Sequence, residues 1–119
     1  MKYYISLILF ILTFSGIAQE GELDFSFNGS GKIIYDVNNQ SKARCVVLQP
    51  DGKILIGGSN SFAQGNMLII RYDPFGNPDV TFGIQGIANI DLNNDWQETT
   101  DFHTLPDGRI IVMAESEHG

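Results

Sequence analysis

The chain contains the same turn sequence twice, each time between two apolar runs, and this duplication limits what it can fold into. The first copy lies in Leu48-Gln49-Pro50-Asp51-Gly52-Lys53 and the second in Leu105-Pro106-Asp107-Gly108-Arg109. Proline presets φ for the first corner of a type I turn, aspartate tolerates the second corner, and glycine takes the left-handed conformation that follows. Each copy therefore predicts a β-hairpin. The predicted turn residues are Pro50, Asp51 and Gly52 in one hairpin and Pro106, Asp107 and Gly108 in the other.

The residues around the turns repeat as well. The segment Asp79–Gly86 resembles Asp24–Gly31, which lies 55 positions earlier. The Pro-Asp-Gly turn recurs after 56 positions, so the second copy carries one extra residue before its turn. Self-similarity at a fixed period of this size is typical of propellers and solenoids, whose units cannot bury their own faces alone.

The strand sequences favour a propeller. A half-exposed strand alternates apolar and polar residues, whereas the runs here are apolar on both faces. These runs are Val46–Leu48, Ile54–Ile56, Met67–Ile70 and Ile110–Met113. No helical periodicity is present after residue 19, so no helix is predicted to cover the sheet. Further sheets must therefore cover both of its faces.

We therefore predict an all-β chain of beta-propeller repeats, with one complete four-stranded blade and an incomplete second blade. The first repeat spans residues 20–77 and begins with a strand at Lys32 to Val37. The second repeat, truncated after its third strand, spans residues 78–119. A small β-sandwich is the alternative.

The N-terminus predicts a signal peptide over residues 1–19. Lys2 precedes an apolar run from Ile5 to Phe14, and small residues follow before Gln19. This run is shorter than the ~20 residues that a spanning helix needs, which disfavours the alternative of a membrane anchor. We expect a secreted protein, extracellular or on the cell surface, with no membrane segment in its mature form.

The net charge and the number of cysteines limit which partners the chain can bind and whether it can form a disulfide bond. The chain carries 14 acidic and 7 basic residues, for a net charge of -7. Nucleic acid requires a basic face and is therefore not an expected partner. The single cysteine, Cys45, cannot close an internal disulfide, and its apolar strand predicts that it is a shielded core residue.

The spaced signature resembles the delta-60 repeat, a beta-propeller-like tandem repeat of secreted bacterial proteins. The matching stretches are Leu23-Asp24-x-Ser26-Phe27-x-x-x-Gly31, then Leu48 to Gly58, then Arg71-Tyr72-x-x-x-Gly76-x-x-Asp79-x-x-Phe82-Gly83-x-x-Gly86. The resemblance covers essentially the whole chain after the signal peptide. It implies a propeller architecture and an extracellular address, and it carries no catalytic residues. Members of this family usually have many copies, so we expect this chain to be a fragment of a longer repeat protein.

Candidate chemical sites are few. Asp91 to Asp95 opens like a calcium loop, but Trp96 and Phe102 stand where such a loop needs Gly and Glu, so we predict no metal and no cofactor. Cys45 and His103 should lie too far apart for a nucleophile and its base. Trp96 is placed in a polar loop tip and is a weak candidate for binding a sugar or a protein.

One further segment, Asp73 to Asp79, has two prolines and predicts a rigid connector between blades. Phe75 and Phe82 should pack into the seam on either side of it.

Two classes of function follow. The first is a non-enzymatic segment for extracellular binding or display, whose partners are further propeller blades or a protein or glycan outside the cell. The second is the N-terminal part of a secreted propeller hydrolase or lyase with its active residues in other blades. A carbohydrate-binding module that uses Trp96 is a third possibility. The absence of a converging catalytic set favours the first class.

Overall fold

The computed structural model describes residues 21–35, 41–60, 65–92 and 96–117 and shows a protein built from β-strands. The strands in these ranges are β1 (Lys42–Leu48), β2 (Ile54–Ser59), β3 (Met67–Tyr72), β4 (Ile87–Ile90), β5 (Trp96–Thr104) and β6 (Ile110–Glu117). The described part of the chain has no helix, and the predicted all-β class is confirmed. Residues 1–19, the predicted signal peptide, lie outside it. Within the described ranges, no helical segment has the length and apolar character needed to cross a membrane.

Strands β1 to β4 form one antiparallel sheet in that order, here called sheet A. Val46 lies opposite Ile56, which lies opposite Ile70, which in turn lies opposite Ile87 on β4. Because β4 follows the second copy of the Asp-x-Ser/Thr-Phe segment, it belongs to the second sequence repeat. Sheet A therefore contains three strands of the first repeat and one strand of the second.

The strand predicted at Lys32 to Val37 is wrong over residues 32–35, which are not part of a sheet; Asp36 and Val37 lie outside the described residues. Residues 32–35 are the repeat equivalents of β4. A strand is stable only when a neighbour pairs with its backbone N–H and C=O groups. β4 has β3 as that neighbour, whereas no described strand lies beside residues 32–35.

Strands β5 and β6 form a two-stranded sheet, sheet B, which reproduces the hairpin of β1 and β2 in detail. The β1–β2 ladder has a β-bulge between Ala43 and Cys45, and the β5–β6 ladder has one between Thr99 and Asp101. The two bulges are 56 positions apart, the same spacing as the two turns. Within the described residues β5 and β6 are both edge strands, since sheet B consists of these two strands.

The two predicted turns have the same backbone geometry. Gly52 has a φ of 83° and donates its N–H to the carbonyl of Gln49 at 2.9 Å. Gly108 has a φ of 86° and donates its N–H to the carbonyl of Leu105, also at 2.9 Å. In each turn the aspartate carboxylate accepts the N–H two residues later, at 3.2 and 3.1 Å. The left-handed conformation expected of both glycines is confirmed.

The two sheets pack face to face, and the main core lies between them. Leu55 and Ile69 of sheet A are buried against Phe102 of sheet B. A Cβ atom at Gly57 would lie 2.5 Å from the Phe102 ring. Glycine at this position therefore leaves room for the ring to lie directly on sheet A, which allows the two sheets to approach closely.

Candidate interaction surface

The face of sheet A that points away from sheet B is apolar, and its β1 side is uncovered, since Val46 and Leu48 are exposed; we call it the open face. It is formed by Val46, Leu48, Ile54, Ile56, Leu68, Ile70 and Tyr72. Val46 is 65% exposed, whereas its repeat equivalent Phe102 is 5% exposed. The difference arises because Phe102 faces sheet A, while no described strand lies over Val46. The open face is thus the surface against which a further sheet would pack.

The segment Ile33 to Tyr35 crosses part of the open face. Ile33 packs against its buried cluster of Leu68, Ile70 and Tyr72. The three residues of the segment line an apolar groove of about 370 Å³ on this face. Ala88, the repeat equivalent of Ile33, packs in the same way on the core between the two sheets. The two repeats therefore place equivalent residues on equivalent sheet faces.

Asp79 joins three parts of the chain through its carboxylate, whose side chain is only 9% exposed. Oδ2 accepts a hydrogen bond from Nε of Arg71 on β3 at 2.8 Å and lies 3.1 Å from Nζ of Lys53 at the first hairpin. Oδ1 accepts the hydroxyl and the N–H of Thr81 at 2.6 and 3.1 Å. The Thr81 hydroxyl and the two cations hold the pKa of Asp79 far below its ordinary value.

Arg71 makes a second contact that fixes this arrangement. Its guanidinium lies over the ring of Phe82, 4.6 Å from the ring centre. This distance is within the range of a cation–π contact. The arginine of β3 thus holds both the acid and the aromatic residue of the Asp-x-Thr-Phe segment that precedes β4.

Asp24 has the same local structure but a different environment. Its Oδ1 accepts the hydroxyl and the N–H of Ser26 at 2.6 and 2.9 Å, matching the bonds from Thr81 to Asp79. These bonds lower the pKa of Asp24. Asp24 is exposed, and in the described ranges it forms no ion pair with a lysine or arginine.

A buried acidic group lies between the sheets at the start of β5. Glu98 is 2% exposed, and its Oε1 accepts a hydrogen bond from Nε of Arg44 at 2.6 Å and one from Oγ of Ser59 at 3.4 Å. Arg44 is the extra residue of the β1 bulge, and the bulge directs its side chain toward sheet B. This ion pair joins the two sheets.

Trp96 is not in a loop tip, contrary to the sequence-based prediction. It is the first residue of β5 and lies opposite Glu117 of β6. The ladder extends this far because β6 continues beyond its apolar run into Ala114 to Glu117 and offers backbone partners there. The Trp96 side chain is outside the described part of the chain, and its binding role stays a prediction.

The structure does not bring Cys45 and His103 together. Sγ of Cys45 lies 4.0 Å from the carbonyl oxygen of Thr99 on the inner side of sheet B. His103 is exposed on the opposite side of β5, since it alternates with the buried Phe102. Partial burial raises the pKa of the Cys45 thiol, which disfavours the reactive thiolate.

Two other predictions concern the two phenylalanines beside the connector and the stretch that resembles a calcium loop. Phe82 packs against the core between the sheets, as predicted, but Phe75 is 67% exposed and does not fill a seam. Most of the calcium-like stretch, Asn93 to Asp95, lies outside the described residues. Among those described, no three His, Cys, Asp or Glu side chains are grouped closely enough to hold a metal ion.

Sequence reasoning missed the roles of Asp24, Asp79 and Glu98. The first two carried a usable signal, since each is followed two residues later by Ser or Thr, a pattern in which the carboxylate accepts local hydrogen bonds. Glu98 carried none, because its arginine partner is 54 positions away.

Comparison with known proteins agrees with this architecture. A family described as "Domain of unknown function (DUF5122) beta-propeller" matches residues 49–82, which include the first turn, β2, β3 and the segment from Asp79 to Phe82. No curated protein and no solved structure matches the chain. The all-β chain, with its antiparallel four-stranded and two-stranded sheets, is consistent with part of a beta-propeller.

Proposed function

We propose that this chain supplies blades to a secreted, non-enzymatic beta-propeller of the delta-60 repeat type, which binds or displays a partner outside the cell. The main support is that the second repeat provides β4, the fourth strand of sheet A. A protein assembled in this way is a series of interlocked repeats. Its stability depends on neighbouring repeats rather than on a self-contained core.

The surroundings of the candidate reactive side chains also support a binding role rather than a catalytic one. The most strongly perturbed carboxylate, Asp79, is occupied by Arg71 and Lys53 within the protein. The single thiol, Cys45 on β1 of sheet A, lies between the two sheets and away from His103. The accessible feature is instead the open face, an apolar surface with a groove, and surfaces of this kind are used for contacts with other proteins or with further sheets.

Export is the first point to test. The full chain, with an epitope tag after Gly119, is produced in a bacterial host, and the medium, cell surface and cytosol are separated. We expect the protein in the medium or on the surface, with a new N-terminus at Gln19 or Glu20. The control variant Leu7→Arg/Leu9→Arg breaks the apolar run and should remain uncleaved in the cell. An uncleaved wild-type protein in the cytosol would contradict the proposal.

A further inference from the structure

We propose that residues 24–35 form the completing segment of a further blade: they supply its fourth strand and an acidic anchor, Asp24. The partner is a three-stranded antiparallel sheet of the same repeat type. It carries a lysine and an arginine at the positions equivalent to Lys53 and Arg71. This proposal rests on the proposed function in one respect, namely that the chain works beside further blades.

The backbone of residues 24–31 shares two turn hydrogen bonds with its docked counterpart, residues 79–86. Phe27 donates its N–H to the carbonyl of Asp24 at 3.0 Å, and Phe82 donates to Asp79 at 2.9 Å. Gly31 likewise donates to Phe27 at 2.7 Å, and its equivalent donates to Phe82 at 2.9 Å. The part of the segment before residue 32 therefore keeps these bonds without the partner, which lowers the entropy that it loses on docking.

The docked counterpart shows what the partner must provide. Arg71 on β3 donates its N–H to the carbonyl of Gly86 at 2.8 Å, and its own carbonyl accepts the N–H of Asp79 at 2.9 Å. Its guanidinium binds the Asp79 carboxylate and covers Phe82. A strand like β3 with an arginine at this position would make the same contacts with residues 24–35.

The surroundings of residues 24–35 agree with this partner. Asp24 presents an exposed carboxylate that accepts from Ser26 the same two hydrogen bonds that Asp79 accepts from Thr81. Ile33 lies on the open face of sheet A. A sheet that pairs with residues 32–35 would extend from there over Val46 and Leu48, and it would cover the exposed apolar surface. A small cation would satisfy Asp24 alone and would leave both the strand edge and the open face uncovered.

The test inserts a second copy of residues 42–77 into the full chain between Glu22 and Leu23. Leu23 is the repeat equivalent of Pro78, so the inserted copy precedes residues 24–35 with the same spacing as residues 42–77 precede 79–90. We expect the inserted sheet to take residues 32–35 as its fourth strand. Amide exchange at Ile33, Ile34 and Tyr35 should slow by about tenfold or more relative to the unmodified chain.

The variant Asp24→Asn tests the anchor. In the extended chain it should lower the ratio of folded to unfolded protein by roughly thirtyfold, as Asp79→Asn does. In the unmodified chain its effect should be much smaller, because there, within the described residues, the Asp24 carboxylate accepts hydrogen bonds from Ser26 alone. Replacing the inserted copy's equivalents of Lys53 and Arg71 by methionine should remove the response to Asp24→Asn. Unchanged amide exchange, or an extended chain indifferent to Asp24→Asn while sensitive to Asp79→Asn, would overturn the proposal.

If the extended chain does not fold, a synthetic polypeptide of residues 42–77 is titrated into the unmodified full chain instead. Binding that Asp24→Asn weakens roughly tenfold supports the proposal, and absence of binding overturns it. Both experiments are done with purified protein. Their failure is therefore distinguishable from a failure of the proposed function, which the export experiment reads in cells.

Discussion

Asp79 shows how a single carboxylate can connect a repeat to its neighbour. It precedes β4, yet two of its partners belong to the first repeat: Arg71 lies on β3, and Lys53 lies directly before β2. Both cations and the Thr81 hydroxyl favour the ionised form, which is why its pKa lies below the ordinary value. The ionised carboxylate therefore contributes to stability only while the fold holds these donors around it.

The substitution Asp79→Asn should lower the free energy of unfolding at pH 7 by about 2 kcal/mol, since hydrogen bonds to a charged group are lost. Because the folded pKa is depressed, this contribution is present above the unfolded pKa of about 4 and is lost as the pH falls toward the folded value. The deficit of the variant should shrink below pH 4. Urea unfolding at pH 7, 5 and 3 measures it.

A matched control is Asp107→Asn. The Asp107 carboxylate is also paired with an arginine, Arg109, but its side chain is 54% exposed. Exposed ion pairs contribute 0 to about 1 kcal/mol. An effect of Asp79→Asn no larger than that of Asp107→Asn would show that Asp79 does not connect the repeats.

The turn glycines give a second prediction at this scale. Gly52→Ala and Gly108→Ala should each cost roughly 1 kcal/mol or more, because an L-residue is strained at these φ values. Gly52→Ala should cost more, since its Cβ would lie 3.1 Å from Cγ of Pro74, whereas nothing lies within 4 Å of a Cβ at Gly108. Denaturant unfolding of wild type and the two variants measures the change in the free energy of unfolding that each substitution causes. Equal stability of both variants and wild type would contradict the turn geometry.

Local sequence was sufficient for these turns because proline, aspartate and glycine act within a few residues. It was insufficient for the ion pairs. Neither Arg71 with Asp79 nor Arg44 with Glu98 can be paired from the sequence alone, since the pairing depends on which strands become neighbours. The bulge that directs Arg44 toward Glu98 likewise becomes visible only in the ladder register.

At the scale of elements, strand pairing explains why the strand predicted at Lys32 to Val37 is wrong over residues 32–35. Residues 32–35 and β4 have equivalent positions and similar composition, but only β4 lies next to β3. The hydrophobic pattern predicts which residues can form a strand. It does not state whether a partner edge is present, and here that partner belongs to a different repeat.

The packing of sheet A on sheet B depends on the pair Arg44 and Glu98. Arg44→Met would leave the buried Glu98 carboxylate without its counter-charge, and we expect a lower free energy of unfolding. The double variant Arg44→Met/Glu98→Met removes the buried charge as well and should be more stable than Arg44→Met alone. Urea unfolding of the two single variants and the double variant measures the coupling. A double variant with the summed losses of the two single variants would show that the pair is not coupled.

At the scale of the whole molecule, the two sheets leave two complementary surfaces uncovered. One is the open face of sheet A. The other is the outward face of sheet B, where Ile111 is 49% exposed although its repeat equivalent, Leu55, is 0% exposed. The face of sheet B that carries Phe102 is the repeat equivalent of the open face. This face of sheet B packs against the face of sheet A that carries Leu55. The same contact can therefore form between the outward face of one copy and the open face of another.

We expect the chain without residues 1–19 to self-associate in this head-to-tail way, which produces rings or open chains rather than two-fold symmetric dimers. Val46→Lys blocks the open face and Ile111→Lys blocks the outward face, so each variant alone should be monomeric by light scattering. A mixture of the two retains one intact surface of each kind and should form a one-to-one dimer that grows no further. A monomeric wild-type protein with a sharp cooperative melt would instead mean that the sheets close on themselves, as in a small β-sandwich.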